Sequence, residues 1–214
     1  MKYAMTFLAT LLSAGLMFSC VNSTKEEKSE DKGALEKISE SVDAVKNLNK
    51  MTDYAQDMEA RMQKLKGLSP VSNDVLKAVL PETLHGLKRT SLNVGDMSVL
   101  NMASAKGKYK NEDGTKSVDV DIMDGAGEGA SGVVSLIFLG LHSDREEITE
   151  DGYEKTTEVE GHRAIVKEYT SGDTKDSEIQ TVHAERFVIS IKGNGYPLEE
   201  LTAIFKSLDL SSLK

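Results

Sequence analysis

Two runs of alternating polar and apolar residues, 100–110 and 116–124, constrain the fold of this chain most strongly. They are joined by Glu112-Asp113-Gly114-Thr115, and Asp-Gly is the strongest short signal for a β-hairpin. With Asp113-Gly114 as a two-residue turn, three pairs face each other across the hairpin: Lys110 and Ser117, Lys108 and Asp119, Lys106 and Asp121. We predict this register because it places the apolar residues on one face and each acid opposite a lysine.

The neighbouring acids Asp119 and Asp121 are candidates for acid–base catalysis or for binding a metal ion. Since each faces a lysine in the predicted register, we interpret them as part of a solvated, salt-bridged sheet face. An EF-hand loop beginning at Asp119 also fails, because its fifth position is Met123 and its twelfth is Ala130, where calcium needs a bidentate Glu.

Beyond Ser69, apolar residues recur with the helical period of 3.6 residues in some segments and with the strand period of two in others. A short helix capped by Ser72 and ending at Leu80, a helix over 131–142 and a terminal helix over 197–208 are predicted. Further strands are predicted at 153–159, 162–169, 178–184 and 186–192, with Glu160-Gly161 as a second tight turn. Residues 70–214 are therefore predicted to form one α+β domain, an antiparallel β-sheet meander covered by helices.

A long amphipathic helix is predicted to precede this domain over residues 34–67. Its apolar residues recur at helical spacing, with a phase slip at Asn47-Leu48-Asn49, and Gly67 and Pro70 mark its end. Packing of this stripe on its own domain is the simpler interpretation. A protein partner bound through the 34–66 helix, as in a coiled coil, is the alternative.

The N-terminus is predicted to carry a targeting signal. Residues 1–19 contain Lys2 followed by an apolar run too short for a comfortable membrane span, the form of a secretory signal peptide. The segment Leu16-Met17-Phe18-Ser19-Cys20 resembles the lipobox of bacterial lipoproteins, a resemblance that implies cleavage before Cys20, acylation of that residue and anchoring in the cell envelope. The alternative is an ordinary signal peptide that contains a cysteine.

Charge and the residues after Cys20 bear on location and partners. Residues 20–33 are predicted to be a disordered, acidic tether to the lipid. The chain has 26 basic and 35 acidic residues and a net charge of −9, which argues against nucleic acid as a partner. Position 21 is Val rather than the Asp that retains some lipoproteins in the inner membrane, so the outer membrane is expected. Lys25-Glu26-Glu27 resembles a surface-export signal, with a plain solvated tether as the alternative.

The order of elements is similar to that of PsbP and DcrB-like α+β domains, some of which are lipid-anchored. The segment from Leu80 to Arg89, LPETLHGLKR, also resembles the opening motif of uncharacterised bacterial envelope proteins. The resemblance implies an envelope domain without a known activity.

A nucleotide site is suggested by Gly127-Glu128-Gly129-Ala130-Ser131-Gly132, which fits G-x-G-x-x-G. The preceding strand is half polar and antiparallel to its predecessor, whereas a dinucleotide site needs a buried parallel strand. The negative charges of Asp124 and Glu128 would repel a pyrophosphate at this position. We interpret the segment as a turn leading into a buried helix and expect no cofactor.

Four histidines, His85, His142, His162 and His183, are the remaining candidates for chemistry. No pair has the spacing of a helical zinc motif, so structural roles and no metal site are predicted. We therefore expect a non-enzymatic binding or assembly module of the envelope, with Cys20 as its lipidation site. The alternative is an envelope hydrolase, which a pocket with a perturbed histidine or acid would favour.

Overall fold

The computed structural model describes residues 54–97 and 102–214. In these residues the chain has an α+β fold, as predicted, with four helices and a nine-stranded antiparallel sheet. The helices are α1 (residues 54–66), α2 (Asn73–Val79), α3 (Glu128–Leu141) and α4 (Leu198–Lys206). The strands are β1 (Thr83–Leu84), β2 (Leu87–Met97), β3 (Met102–Lys110), β4 (Ser117–Asp124), β5 (Glu146–Ile148), β6 (Gly152–Val159), β7 (His162–Ser171), β8 (Thr174–His183) and β9 (Phe187–Asn194).

Several predictions fall outside the described residues: the signal peptide over 1–19, the tether over 20–33 with Cys20, and the part of the long helix over 34–53 with its phase slip. Residues 54–66 are helical and give way to a turn at Gly67, where the sequence predicted the end of the helix. In the part of the chain that the structure describes, no helix is both long enough and apolar enough to cross a membrane.

The sheet consists of two antiparallel meanders placed edge to edge. Its strand order is β1-β2-β3-β4-β9-β8-β7-β6-β5, so β1 to β4 follow one another, and β5 to β9 run back until β9 pairs with β4. Helix α3 lies in the connection between the two meanders. Because β4 is antiparallel to both β3 and β9, no parallel βαβ unit forms around it.

The β3–β4 hairpin has the predicted register. Lys110 faces Ser117, Lys108 faces Asp119 and Lys106 faces Asp121. The turn itself differs from the prediction, since the carbonyl of Asn111 accepts a hydrogen bond from the N–H of Gly114 at 3.1 Å. Glu112-Asp113 therefore occupies the centre of the turn, and Gly114 follows it at a φ of +73°.

The longest strand, β2, was not predicted as a strand. A β-bulge lies between Arg89 and Ser91, so the residues facing the core change parity within the strand. Leu87 is buried, whereas Leu92 and Val94 carry the apolar face after the bulge, and both lie an odd number of residues from Leu87. A search for strict alternation misses such a strand, because the period of two restarts at the bulge.

The main core lies between one face of the sheet and helices α2 and α4. Strands β4, β8 and β9 supply branched aliphatic side chains at alternate positions, because side chains alternate between the two faces of a strand. These are Val118, Val120, Ile122, Ile179, Ile189 and Ile191. Leu76 and Val79 of α2 and Leu201, Ile204 and Phe205 of α4 close over them.

The opposite face of the sheet is charged at one end. One cross-strand row runs Lys108, Asp119, Lys192, Glu178, Lys167, Glu154, alternating in sign over six strands. At the other end, Leu65 of α1 and Val134 of α3 pack on Val188 in a smaller cluster. This face is thus half solvated and half covered by helices.

Helix α3 differs from its prediction in two respects. It begins at Glu128 rather than at Ser131, so most of the glycine-rich segment is helical and not a turn. It is also only partly buried: Val134 is inaccessible, but Leu136 is 64% exposed, and Val133 and Leu139 are exposed as well. The composition of the helix suggested full burial, yet the sheet covers one side of it only.

Candidate functional site

A cavity of about 470 Å³ lies between the end of the sheet, helix α4 and the C-terminal segment. Its walls come from the turn between β6 and β7, from the adjacent ends of β7 and β8, and from the residues that follow α4. The lining residues are Glu160, His162, His183, Phe205, Lys206, Leu208, Leu210, Ser211, Leu213 and Lys214. Its volume is in the range of small-ligand pockets, roughly 300 to 1,000 Å³.

His162 is placed by the tight turn that the sequence predicted. Glu160 and Gly161 have φ of +49° and +77°, which is typical of the two-residue type I′ turn of a hairpin. Val159 pairs with His162 on the other side of this turn, so His162 is the first residue of β7. His162 therefore lies at the end of the strands, and its side chain is on the face of the sheet that carries the main core.

His183 is placed by the next hairpin. Gly172, at a φ of +61°, and Asp173 form the turn between β7 and β8, and Ser171 pairs with Thr174. The same register pairs Ala164 with Thr181 and, continued by one step of two residues, sets His162 opposite His183. The Nε2 atom of His162 and the Nδ1 atom of His183 are 3.3 Å apart.

The outer nitrogen of each imidazole meets a backbone carbonyl. His162 Nδ1 lies 3.0 Å from the carbonyl oxygen of Glu160, and His183 Nε2 lies 3.2 Å from that of Leu213. A carbonyl oxygen can only accept, so these two contacts are hydrogen bonds in the tautomers that carry the proton on the outer nitrogens. In the neutral rings the two inner nitrogens are then both unprotonated, and their lone pairs face each other.

Neighbouring residues partly shield the two histidines from solvent. The ring of His162 makes an edge-to-face contact with the buried Phe205, with centroids 6.3 Å apart. Burial lowers the pKa of His183, and the charge of the neighbouring His162 lowers it further, against the opposing effect of the Leu213 carbonyl. Across the cavity, Lys206 and Glu160 form a salt bridge of 3.1 Å. His183 is therefore held toward its neutral form.

The other two histidines lie elsewhere. His85 is exposed at a φ of +49° in the turn between β1 and β2. His142 follows the last residue of α3, and its Nδ1 lies 2.9 Å from the carbonyl oxygen of Phe138. The spacing of the four histidines in the sequence did not indicate that His162 and His183 meet, but the β7–β8 register brings them together, and their structural role stays a prediction. The turn signal Gly172-Asp173 could have revealed this pair, since it fixes the register in the same way as the first hairpin.

The acids of the β3–β4 hairpin are paired as predicted. Lys106 lies 2.9 Å from Asp121, and Lys108 lies 3.2 Å from Asp119. The hydrogen bond with Asp121 raises the pKa of Lys106, although burial opposes it. These carboxylates are neutralised by lysines on a half-exposed sheet face.

The glycine-rich segment has a structural explanation. A Cβ at Gly125 would lie 2.7 Å from the carbonyl oxygen of Arg186 and 2.7 Å from Val134 Cγ2, so this position requires glycine for packing. Gly127, at a φ of +93°, precedes α3, and its N–H donates to the carbonyl of Leu65. Asp124 is fully buried and bound by Arg186, so the prediction that its charge would repel a pyrophosphate at this segment is wrong.

Within residues 54–97 and 102–214, no group of three or more His, Cys, Asp or Glu side chains is arranged to hold a metal ion. Comparison of the chain with known protein families, with curated proteins and with solved structures finds no match. The resemblance to PsbP and DcrB-like domains stays a prediction.

Proposed function

We propose that this chain is a lipid-anchored protein of the bacterial cell envelope whose α+β domain binds a small ligand without chemical turnover. Anchoring rests on the lipobox-like segment that ends at Cys20 and on the charged residues that follow it. Binding rests on one observation, the cavity between α4, the C-terminal segment and the paired histidines.

The hydrogen bonds of the histidines favour binding over hydrolysis. A general base lies within hydrogen-bond reach of the nucleophile whose proton it takes. In this pair the ring nitrogens contact the carbonyls of Glu160 and Leu213 and each other, and these contacts include no hydroxyl of the described residues. The lowered pKa of His183 is the one feature that favours the alternative of an envelope hydrolase.

A protein partner bound through the 34–66 helix belongs to the same proposal as a second interaction. In the described part of this helix, Leu65 is buried in the small cluster with Val134 and Val188. The guanidinium of Arg61 lies 3.4 Å from the ring centroid of Phe138 in α3. In the described part of the helix, Arg61 and Leu65 thus pack on their own domain.

Anchoring is tested by Cys20→Ala in cells supplied with labelled palmitate. We expect the label to be present on the natural chain and absent from the variant, because acylation needs the thiol and the new amine of residue 20. Incorporation of label into Cys20→Ala would contradict the lipoprotein assignment.

Ligand binding is tested by native mass spectrometry of the full chain purified from its own membranes. Ser211 is exposed and lines the cavity, whereas its neighbour Ser212 is exposed and does not. Ser211→Trp should fill the cavity and remove a bound mass that the natural chain and Ser212→Trp both retain. A bound mass that survives Ser211→Trp, or no bound mass in the natural chain, would contradict the proposal.

A further inference from the structure

We infer that the His162–His183 pair is a binding site for a divalent transition-metal ion of the imidazole-preferring kind, such as Zn²⁺ or Cu²⁺. The inference deepens the proposed function, since it rests on the cavity as a ligand site and names what the cavity takes. Three features of the pair carry it: the separation of the inner nitrogens, the partners of the outer nitrogens and the open side of the cavity.

The first feature is a distance. Two nitrogen ligands that lie about 2.0 to 2.1 Å from a tetrahedral metal ion are about 3.3 to 3.4 Å from each other. His162 Nε2 and His183 Nδ1 are 3.3 Å apart. Without a shared cation, two unprotonated nitrogens at this separation repel each other, because their lone pairs converge on the same space. A positive ion between them removes the repulsion.

The second feature is the orientation of the rings. Metal-binding histidines almost always donate the proton of the other ring nitrogen to a carboxylate or a backbone carbonyl, which selects the tautomer and aims the ligand nitrogen. His162 does this toward the carbonyl of Glu160, and His183 does it toward that of Leu213. The two rings are tilted by 35° with centroids 5.5 Å apart, so they converge without stacking.

The third feature is the environment. The cavity leaves the remaining coordination positions open to water or to donor atoms of a ligand, as in metal sites that bind an external molecule. Neutral nitrogen donors select Zn²⁺, Cu²⁺ or Ni²⁺ over Ca²⁺ and Mg²⁺, which prefer oxygen.

A proton is the competing occupant of the space between the nitrogens. One added proton would also join the two inner nitrogens by a hydrogen bond. The charged groups around the pair are Lys206 and Lys214, which disfavour any cation, and Glu160, whose carboxylate is bound to Lys206. A metal ion, unlike a proton, can also bind donor atoms of a ligand in the open cavity, so the metal is the occupant we propose.

Calorimetric titration with Zn²⁺ tests the inference on the full chain in non-ionic detergent, purified through a histidine-free tag and stripped with a chelator. We expect one saturable site per chain in the natural protein. His162→Ala and His183→Ala should each weaken binding at least tenfold, because each removes one of two protein ligands. His85→Ala and His142→Ala, which remove the two distant histidines, should bind as the natural chain does.

Electron paramagnetic resonance of the Cu²⁺-loaded natural chain provides a second readout that needs no variant to fold. Hyperfine coupling to two imidazole nitrogens is expected, and coupling to one or none would overturn the inference. Absence of saturable Zn²⁺ binding, or its persistence in both His→Ala variants, would also overturn it. A failed titration together with a bound organic mass that Ser211→Trp removes would refute the metal site and leave the proposed ligand cavity standing.

Discussion

The guanidinium of Arg186 donates two hydrogen bonds to the carboxylate of Asp124, at 2.7 Å from Nε to Oδ1 and 2.8 Å from Nη2 to Oδ2. Asp124 is the last residue of β4 and is inaccessible to solvent, and Arg186 immediately precedes β9. The carboxylate also accepts the N–H groups of Val71 and Ala126. Since Arg186 donates as well to the carbonyls of Ser69 and Lys214, the pair joins four separate parts of the chain.

Asp124→Ala should destabilise the fold by about 3 to 5 kcal/mol, because it leaves the Arg186 charge buried without its partner. Urea denaturation at neutral pH measures the difference in unfolding free energy. Asp121→Ala is a matched control from the same strand, since its pair with Lys106 is nearly half exposed and should contribute less than about 1 kcal/mol. Equal losses in the two variants would contradict the distinction between buried and exposed pairs.

Gly114→Ala should destabilise the β3–β4 hairpin by about 1 kcal/mol. A Cβ at this position meets nothing within 4 Å, so the cost comes only from the φ of +73° and not from a clash. Gly132→Ala in α3 is the opposite control: its Cβ also meets nothing, but its helical backbone suits alanine, and we expect a gain of about 0.5 to 1 kcal/mol. Thermal unfolding of both variants measures the two changes in stability. A change of the same sign in Gly114→Ala and Gly132→Ala would refute this explanation.

Glu168 should contribute stability that depends on pH. Burial alone would raise the pKa of Glu168, but Lys175 and the N–H of Leu198 at the start of α4 outweigh it, so the pKa is lowered below its ordinary value of 4.5. A lowered pKa in the folded state means that the ionised carboxylate stabilises the fold above about pH 4.5, and that this stabilisation is lost as pH falls through the folded value.

Glu168→Gln should therefore lower the unfolding free energy by about 1 to 2 kcal/mol at pH 7, because both hydrogen bonds lose their charged acceptor. The difference between the variant and the natural chain should shrink as pH falls below 4.5, because the natural side chain also becomes neutral. Denaturation curves at pH 7, 5, 4 and 3 measure it. A difference that stays constant over this series would show that the carboxylate charge is not the cause.

Several local elements of the domain follow from sequence alone. Ser72 caps α2, the predicted terminal helix is present as α4, and the predicted β3–β4 register is correct in all three lysine pairs. These features depend on residues close together in the chain, where side-chain period, capping and turn residues act directly on the backbone. The lipobox-like segment around Cys20 is likewise a property of the sequence, and it stays a prediction.

Tertiary structure decided what depends on residues far apart in the chain. Pairing of β4 with β9, burial of Asp124 against Arg186 and the half-exposure of α3 all result from how the two meanders and the helices pack. The cavity is of the same kind, because the C-terminal segment reaches His183 only after α4 has crossed the sheet. The contact between His162 and His183 depends on both. A turn signal in the sequence encodes their register, but the orientation of the two rings depends on the carbonyls of Glu160 and Leu213, which the folded chain brings to them.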